Sequence, residues 1–255
     1  MPKINEIYYH LYEGSEVGQK PPVILVHGAG GHHLFWPPEI RRLTSYRVYA
    51  IDLPGHGESG GVGRQLIAAY SDVIIEWLQA LRMHRAIFIG HSMGSAITIS
   101  LAINYPEHVL GLGLLGAGAS LRVNPDILER TGNPSTFLSA VQKIVGWSFS
   151  DSAPERLTEL AVKRIADVRP SVLYSDLLAC DNFDEMERIE YITQPALILC
   201  GAEDKMTPLR YSQFLVDHIP NSKLKAIPDA GHMVMLEQPE LVAEEISEFL
   251  KGISY

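Results

Sequence analysis

Cysteine is scarce in this chain: only Cys180 and Cys200 occur, far apart and in different contexts. A disulfide framework or a zinc ribbon therefore has no basis, and two reduced structural thiols are expected. No apolar run approaches the roughly 20 residues needed to cross a bilayer. Met1-Pro2-Lys3-Ile4-Asn5-Glu6 lacks the charged and apolar regions of a secretory leader. These absences predict no membrane partner and a cytoplasmic location. Positive charge is also short, with 21 Lys and Arg against 30 Asp and Glu and a formal net charge of −9. Without a Lys/Arg stripe to displace counterions, nucleic acid is not an expected partner. No G-x-x-x-x-G-K phosphate loop, metal cage, solenoid repeat or low-complexity tract is present, so neither cofactor nor metal is expected. The pair His32-His33 is followed by no carboxylate or histidine at helical ligand spacing. Oligomeric state leaves no mark on the sequence.

What remains is a chain of 255 residues, 46% of them hydrophobic, enough for one large core. Val23 to Val26, Val48 to Ile51, Ala86 to Ile89, Leu112 to Leu115 and Ala196 to Leu199 are short unbroken apolar runs. That pattern predicts parallel strands covered on both faces. Ile4 to Tyr12 alternates as an edge strand, with turn chemistry from Glu13-Gly14-Ser15 and from Gly18 to Pro22. Leu66, Tyr70, Val73, Ile74, Trp77 and Leu81 predict an amphipathic helix over Arg64 to Leu81, and a last helix is expected over Glu237 to Leu250. Strands alternating with helices imply an α/β fold, a mostly parallel central sheet flanked by helices, with its ligand site at the carboxyl ends of the strands. The alternation breaks between 119 and 192, where Pro125, Pro134, Pro154 and Pro170 punctuate the chain. Short helices at Pro154 to Ala166 and Val172 to Leu178 make this stretch a helical cap inserted in a core of residues 1–118 and 193–255.

Gly90-His91-Ser92-Met93-Gly94 stands between the Ala86 run and an apolar stretch over Ala96 to Ile103 that must end before Pro106. Strand, sharp turn and helix place Ser92 on a nucleophile elbow, where only glycine fits two positions either side. The turn exposes a hydroxyl and aims the N–H of Met93 and the positive helix end at any oxyanion beside it. Other chemically able residues also follow strands: Gly28-Ala29-Gly30 after the Val23 run, Asp204 after the Ala196 run, and His232 after Leu224 to Ile227.

With these pieces assembled, the chain resembles the α/β-hydrolase superfamily over nearly its whole length. His27-Gly28-Ala29-Gly30-Gly31 with Trp36 resembles that family's oxyanion loop, and Asp52-Leu53-Pro54-Gly55-His56-Gly57-Glu58-Ser59 its strand-end turn. Gly201-Ala202-Glu203-Asp204 and Pro228-Asp229-Ala230-Gly231-His232 resemble its two later loops. The fold delivers nucleophile, acid and histidine in that chain order, which Ser92, Asp204 and His232 obey. Glu203, Asp229 and Asp181 compete with Asp204, and nine other histidines compete with His232. His27, His56 and His91, in Gly-rich loops, are expected to shape those loops. The oxyanion hole is expected from the N–H groups of Ala29 and Met93.

Leu121, Phe137, Leu138, Val141, Trp147, Leu173, Leu177 and Phe183 of the cap, with Met233 and Val234, predict an apolar guest. Gly28, Gly30, Trp36, Phe137, Trp147 and Met233 are the expected substrate-binding residues. Arg122, Arg130, Arg156, Lys163, Arg164 and Arg169 are read as a solvated helix face, the other reading being attraction of an anionic group. The expected function is a serine hydrolase cleaving a small-molecule carboxylic ester of short to medium acyl chain through an acyl-enzyme. The same triad would serve thioesters or C–C bonds, and a ligand receptor built on the fold is the alternative from another class. Haloalkane dehalogenase and epoxide hydrolase relatives carry a carboxylate where Ser92 stands, which argues against those activities.

Overall fold

The computed structural model describes residues 3–14 and 20–255. The turn expected between Glu13 and Pro22 falls largely on 15–19, outside the described residues. Its frame is an eight-stranded sheet: β1 (Lys3–Ile4), β2 (Ile7–Glu13), β3 (Val23–Val26), β4 (Arg47–Asp52), β5 (Ala86–His91), β6 (Val109–Leu115), β7 (Ala196–Gly201) and β8 (Ser222–Ile227). They lie in the order β1-β2-β4-β3-β5-β6-β7-β8. β2 runs antiparallel to β1 and β4, and all pairs from β4 to β8 are parallel. The expected single strand over Ile4 to Tyr12 is thus a two-strand hairpin, folded at Asn5 with φ 53°.

Every residue of β3, β5, β6 and β7 is buried, as the unbroken apolar runs require. Alternate side chains feed two cores: Ile24, Val26 and Phe88 pack on one face, and Val23, Leu25, Ile87 and Ile89 on the other. Helices α1 (Pro38–Arg41), α2 (Ile67–Ala80) and α3 (Met93–Asn104) follow β3, β4 and β5. The α2 helix starts later than its periodicity predicts, because Leu66 is extended, with φ −136°, and 56% exposed. Its side chain therefore does not join the apolar face. The α3 helix is buried from Met93 through Ala102 and stops two residues before Pro106, where the missing N–H and the ring end it.

Between β6 and β7 the chain forms α4 (Pro125–Thr131), α5 (Phe137–Ser148), α6 (Glu155–Ala166) and α7 (Pro170–Asp181). The last two match the expected helices. The first two do not appear in the sequence reading, where Pro125 counts as a breaker. It sits instead at the first helical position, where its absent N–H costs nothing, behind the Asn124 side chain that accepts the Asp126 N–H at 2.9 Å. After β7 come α8 (Leu209–His218), α9 (Val234–Glu237) and α10 (Pro239–Lys251). Among the described residues no helix is long and apolar enough to cross a membrane.

Candidate active site

Ser92 has φ 55° and ψ −118°, between the last residue of β5 and the first of α3. Close backbone approach explains the glycines around it. A Cβ at Gly90 would lie 2.1 Å from the Gly94 carbonyl oxygen, and one at Gly94 would lie 2.1 Å from the Val26 carbonyl oxygen. Both neighbours are backbone and cannot swing away. Gly94→Ala should therefore lower stability by about 3 kcal/mol, near the upper end of overpacking penalties. Urea unfolding followed by circular dichroism checks this, and a midpoint equal to wild type would refute it.

At the end of β7, Asp204 meets the histidine delivered after β8. Its Oδ2 lies 2.8 Å from His232 Nδ1 and accepts the Thr207 hydroxyl at 2.8 Å, while Oδ1 accepts the N–H groups of Met206 and Thr207, each at 2.8 Å. Burial opposes a charge on this carboxyl, but His232 and the Thr207 donors outweigh it and hold its pKa below the usual range. Its competitors are engaged elsewhere: Glu203 accepts the Asp151 N–H, Asp181 the Val123 N–H, and Asp229 occupies a turn with φ 51°. Thr207, whose hydroxyl also lies 3.2 Å from His232 Nδ1, is absent from the sequence reading. Its only sequence signal is its place in a strand-end loop just after Asp204, whose Asx turn to the Met206 N–H curls the following residues back onto the carboxylate.

Two further groups set the imidazole. Gly116, with φ 56°, leaves room for it, since a Cβ there would come within 2.9 Å of Cε1 and Nδ1. His91 Nε2 donates to the His232 carbonyl at 2.9 Å. The result is a buried His232 whose Nε2 has no hydrogen-bond partner among the described residues. Ser92 and His232 nevertheless border one cavity of about 110 Å³, with no hydrogen bond between them. The rest of its wall is mainly apolar, including Phe35, Leu121, Val123, Ile165, Leu177 and Met233.

Of the expected substrate-binding residues, Gly28 and Met233 reach that wall, and Gly30, Trp36, Phe137 and Trp147 do not. Trp36 is fully buried in the core, and Phe137 packs inside the helical segment. Trp147 is 36% exposed and borders an adjoining recess. Gly30 faces the helical segment, with side-chain atoms of Leu173 and Ile165 3.1 and 3.5 Å from the position a Cβ would take. Apolar character predicts burial but not which buried surface a side chain joins. Ala29 lines the cavity, and Met93 starts α3, so its N–H has no intrahelical acceptor. Of the six basic residues, Arg122 borders the cavity, and its guanidinium is already paired with Asp184 at 2.7 Å.

The loop histidines hold backbone. Leu53 N–H donates to His27 Nε2 at 3.0 Å, so the other nitrogen, Nδ1, carries the proton given to the Gly28 carbonyl at 2.8 Å. His33, His32 and Asp52 bring ligand-capable atoms within 4.8 Å of one another, because Asp52 arrives from the end of β4. Those atoms have other work: Asp52 accepts from the His33 N–H, its ring and the Glu58 N–H, and His32 Nδ1 accepts the Leu34 N–H.

Burial depresses His27 and His91 to about 3, from an ordinary 6.5. Between those values the unfolded chain binds up to two more protons than the folded one, so stability rises with pH across the window and is lost as pH falls from 6.5 toward 3. The slope expected from this pair is about 3 kcal/mol per pH unit in mid-window. Urea midpoints measured between pH 4 and 6 check it, and a flat series would refute it.

Known proteins resemble this chain over nearly its whole length. A thermophilic esterase of known structure is 34% identical, covers 97% of this chain and all of its own, and superposes with a TM-score of 0.83. The candidate carbamate hydrolase RutD of Caulobacter sp. (strain K31) is 29% identical over 96% of each chain. The 3-oxoadipate enol-lactonase 1 of Acinetobacter baylyi is 25% identical over 91% of this chain and 90% of its own. The family described as alpha/beta hydrolase fold matches residues 21–239, from β3 through the elbow, the Asp204 loop and the His232 loop. With strand order, elbow and family match in agreement, the chain belongs to the alpha/beta hydrolase fold family.

Proposed function

We propose that this protein hydrolyses carboxylic esters with short acyl groups through an acyl-enzyme on Ser92. One observation carries the reading: a buried His232, whose Nε2 has no hydrogen-bond partner among the described residues, stands beside the cavity that holds Ser92, while its Nδ1 is bonded to Asp204. An imidazole so fixed is a base with no other proton to take. Ser92 Oγ attacks the ester carbonyl carbon as His232 Nε2 removes its proton, and the N–H groups of Ala29 and Met93 stabilise the oxyanion. Collapse breaks the bond to the alkoxy oxygen, which leaves as the alcohol with the proton from His232. Water then adds to the acyl-enzyme, His232 takes its proton and returns it to Ser92 Oγ, and the carboxylic acid departs. Asp204 stays ionised and holds the imidazole tautomer. Residues 119–192 act as the cap, roofing the reaction with apolar side chains that exclude water.

The cavity bears on chain length. A cavity of 150 Å³ accommodates benzene, so 110 Å³ suits an acyl group of about four carbons. Against p-nitrophenyl esters, kcat/KM is expected to peak between acetate and butyrate and to fall at least tenfold by octanoate. No turnover at any length would overturn the proposal. A binding-only receptor would leave the orphaned imidazole nitrogen without a purpose, and binding of an ester without turnover would favour that reading instead.

A further inference from the structure

A carboxylate from the helical segment reaches the loop that carries Ala29. Asp176 lies on α7 and is wholly buried. Its Oδ2 accepts the Gly30 N–H at 2.9 Å and a proton from His56 Nε2 at 2.7 Å, and its Oδ1 accepts the Tyr70 hydroxyl at 2.5 Å. His56 Nδ1 faces the Pro54 carbonyl oxygen at 3.1 Å, so both ring nitrogens face acceptors and both must carry protons to satisfy them. Burial works against that cation, but Asp176 outweighs it and raises the His56 pKa. The arrangement is a buried ion pair joining α7 to two strand-end loops of the core.

Such a pair is a poor source of net stability, since desolvating two charges costs as much as their attraction returns, and apolar substitutes often do better. What it supplies is a fixed geometry. Gly30 is the residue after Ala29, and the loop's other side is already held by the core, through His27 Nδ1 to the Gly28 carbonyl and Gly31 N–H to the same carbonyl at 3.0 Å. Among the described residues only Asp176 accepts from the Gly30 N–H, and it comes from 146 residues further along the chain. Leu173, on the same helix, packs against Gly30.

We propose that Asp176 is a positioning residue: by gripping the Gly30 N–H from the cap, it fixes the Ala29–Gly30 peptide and through it the orientation of the adjoining Gly28–Ala29 peptide, whose N–H is aimed at the oxyanion. The inference rests on the Ser92 reading above. It makes the seating of α7 a condition of oxyanion stabilisation.

The test compares Asp176→Asn with Tyr70→Phe. The amide keeps the shape but removes the charge and one of the two acceptor oxygens, so it holds the Gly30 N–H more weakly, whereas Tyr70→Phe removes one donor and leaves the charged grip on Gly30 in place. Asp176→Asn should lower kcat about 100-fold, the scale of a misplaced reacting group, with KM within threefold. Tyr70→Phe should lower the melting temperature but keep kcat within threefold. Amide hydrogen exchange in a peptide spanning 27–31 should accelerate in Asp176→Asn only. Equal kcat losses in the two variants, or unchanged exchange in that peptide, would overturn the proposal. If the wild type turned over no ester, the ester reading would fall and the rate of Ser92 labelling by a fluorophosphonate would decide: slower labelling in Asp176→Asn supports the positioning role, and equal rates refute it. Should Asp176→Asn not fold, Asp176→Glu, which keeps the charge but displaces it by about 1 Å, takes its place in every arm.

Discussion

Ser92→Ala is expected to lower kcat toward p-nitrophenyl butyrate by about 10⁶-fold, the scale seen when the nucleophile of a serine hydrolase is removed. The change deletes one oxygen and leaves untouched the two glycines that allow the turn. The folded state should therefore survive, and the melting temperature should move by only a few degrees. Some acceleration over water should persist, because the oxyanion donors are backbone groups that the substitution does not remove. Substrate binding should change little, since the cavity wall is otherwise intact. The measurement is single-turnover hydrolysis with titrated active sites, paired with fluorophosphonate labelling and mass spectrometry of the peptide that contains residue 92. A variant that keeps a hundredth of the wild-type rate, or labelling at another serine, would remove Ser92 from the chemistry and with it the acyl-enzyme.

The strands that position Ser92 and Asp204 are legible in the sequence because each is an unbroken apolar run, the pattern of a parallel strand covered on both faces, whereas β8 before His232 is an edge strand with lysines at alternate positions. The elbow is legible for a different reason: backbone contacts of 2.1 Å leave glycine alone at both flanks. What the sequence hides are contacts that depend on how distant loops meet. Thr207 touches His232 across 25 positions, His56 meets Asp176 across 120, and Asp52 closes on His33 through a turn that no local spacing encodes. Trp36 and Trp147 are misplaced by the same limit. Both are large and apolar, yet one fills the core and the other borders a neighbouring recess. Helix α4 escapes notice because Pro125 reads as a breaker until its place at a helix start is seen.

Asp204→Asn is expected to lower kcat by about 10⁴-fold with little change in KM. The carboxylate takes four hydrogen bonds, two at each oxygen, and the two from Met206 and Thr207 N–H can persist on the amide oxygen. The amide nitrogen must then stand where Oδ2 was, facing His232 Nδ1. A donor there favours the imidazole tautomer with its proton on Nε2, the nitrogen that has to accept the Ser92 proton. The active site keeps its shape and loses its base. Thr207→Val isolates the smaller contribution: it removes one hydroxyl from the same oxygen, a hydrogen bond to a charged group whose loss costs about tenfold in rate. A pH profile separates the two, because a misprotonated base can be partly replaced by hydroxide, so the Asp204→Asn rate should climb above neutral pH more steeply than the Thr207→Val rate. An Asp204→Asn enzyme within tenfold of wild type would mean that the Thr207 hydroxyl alone, 3.2 Å from Nδ1, is enough to set the tautomer.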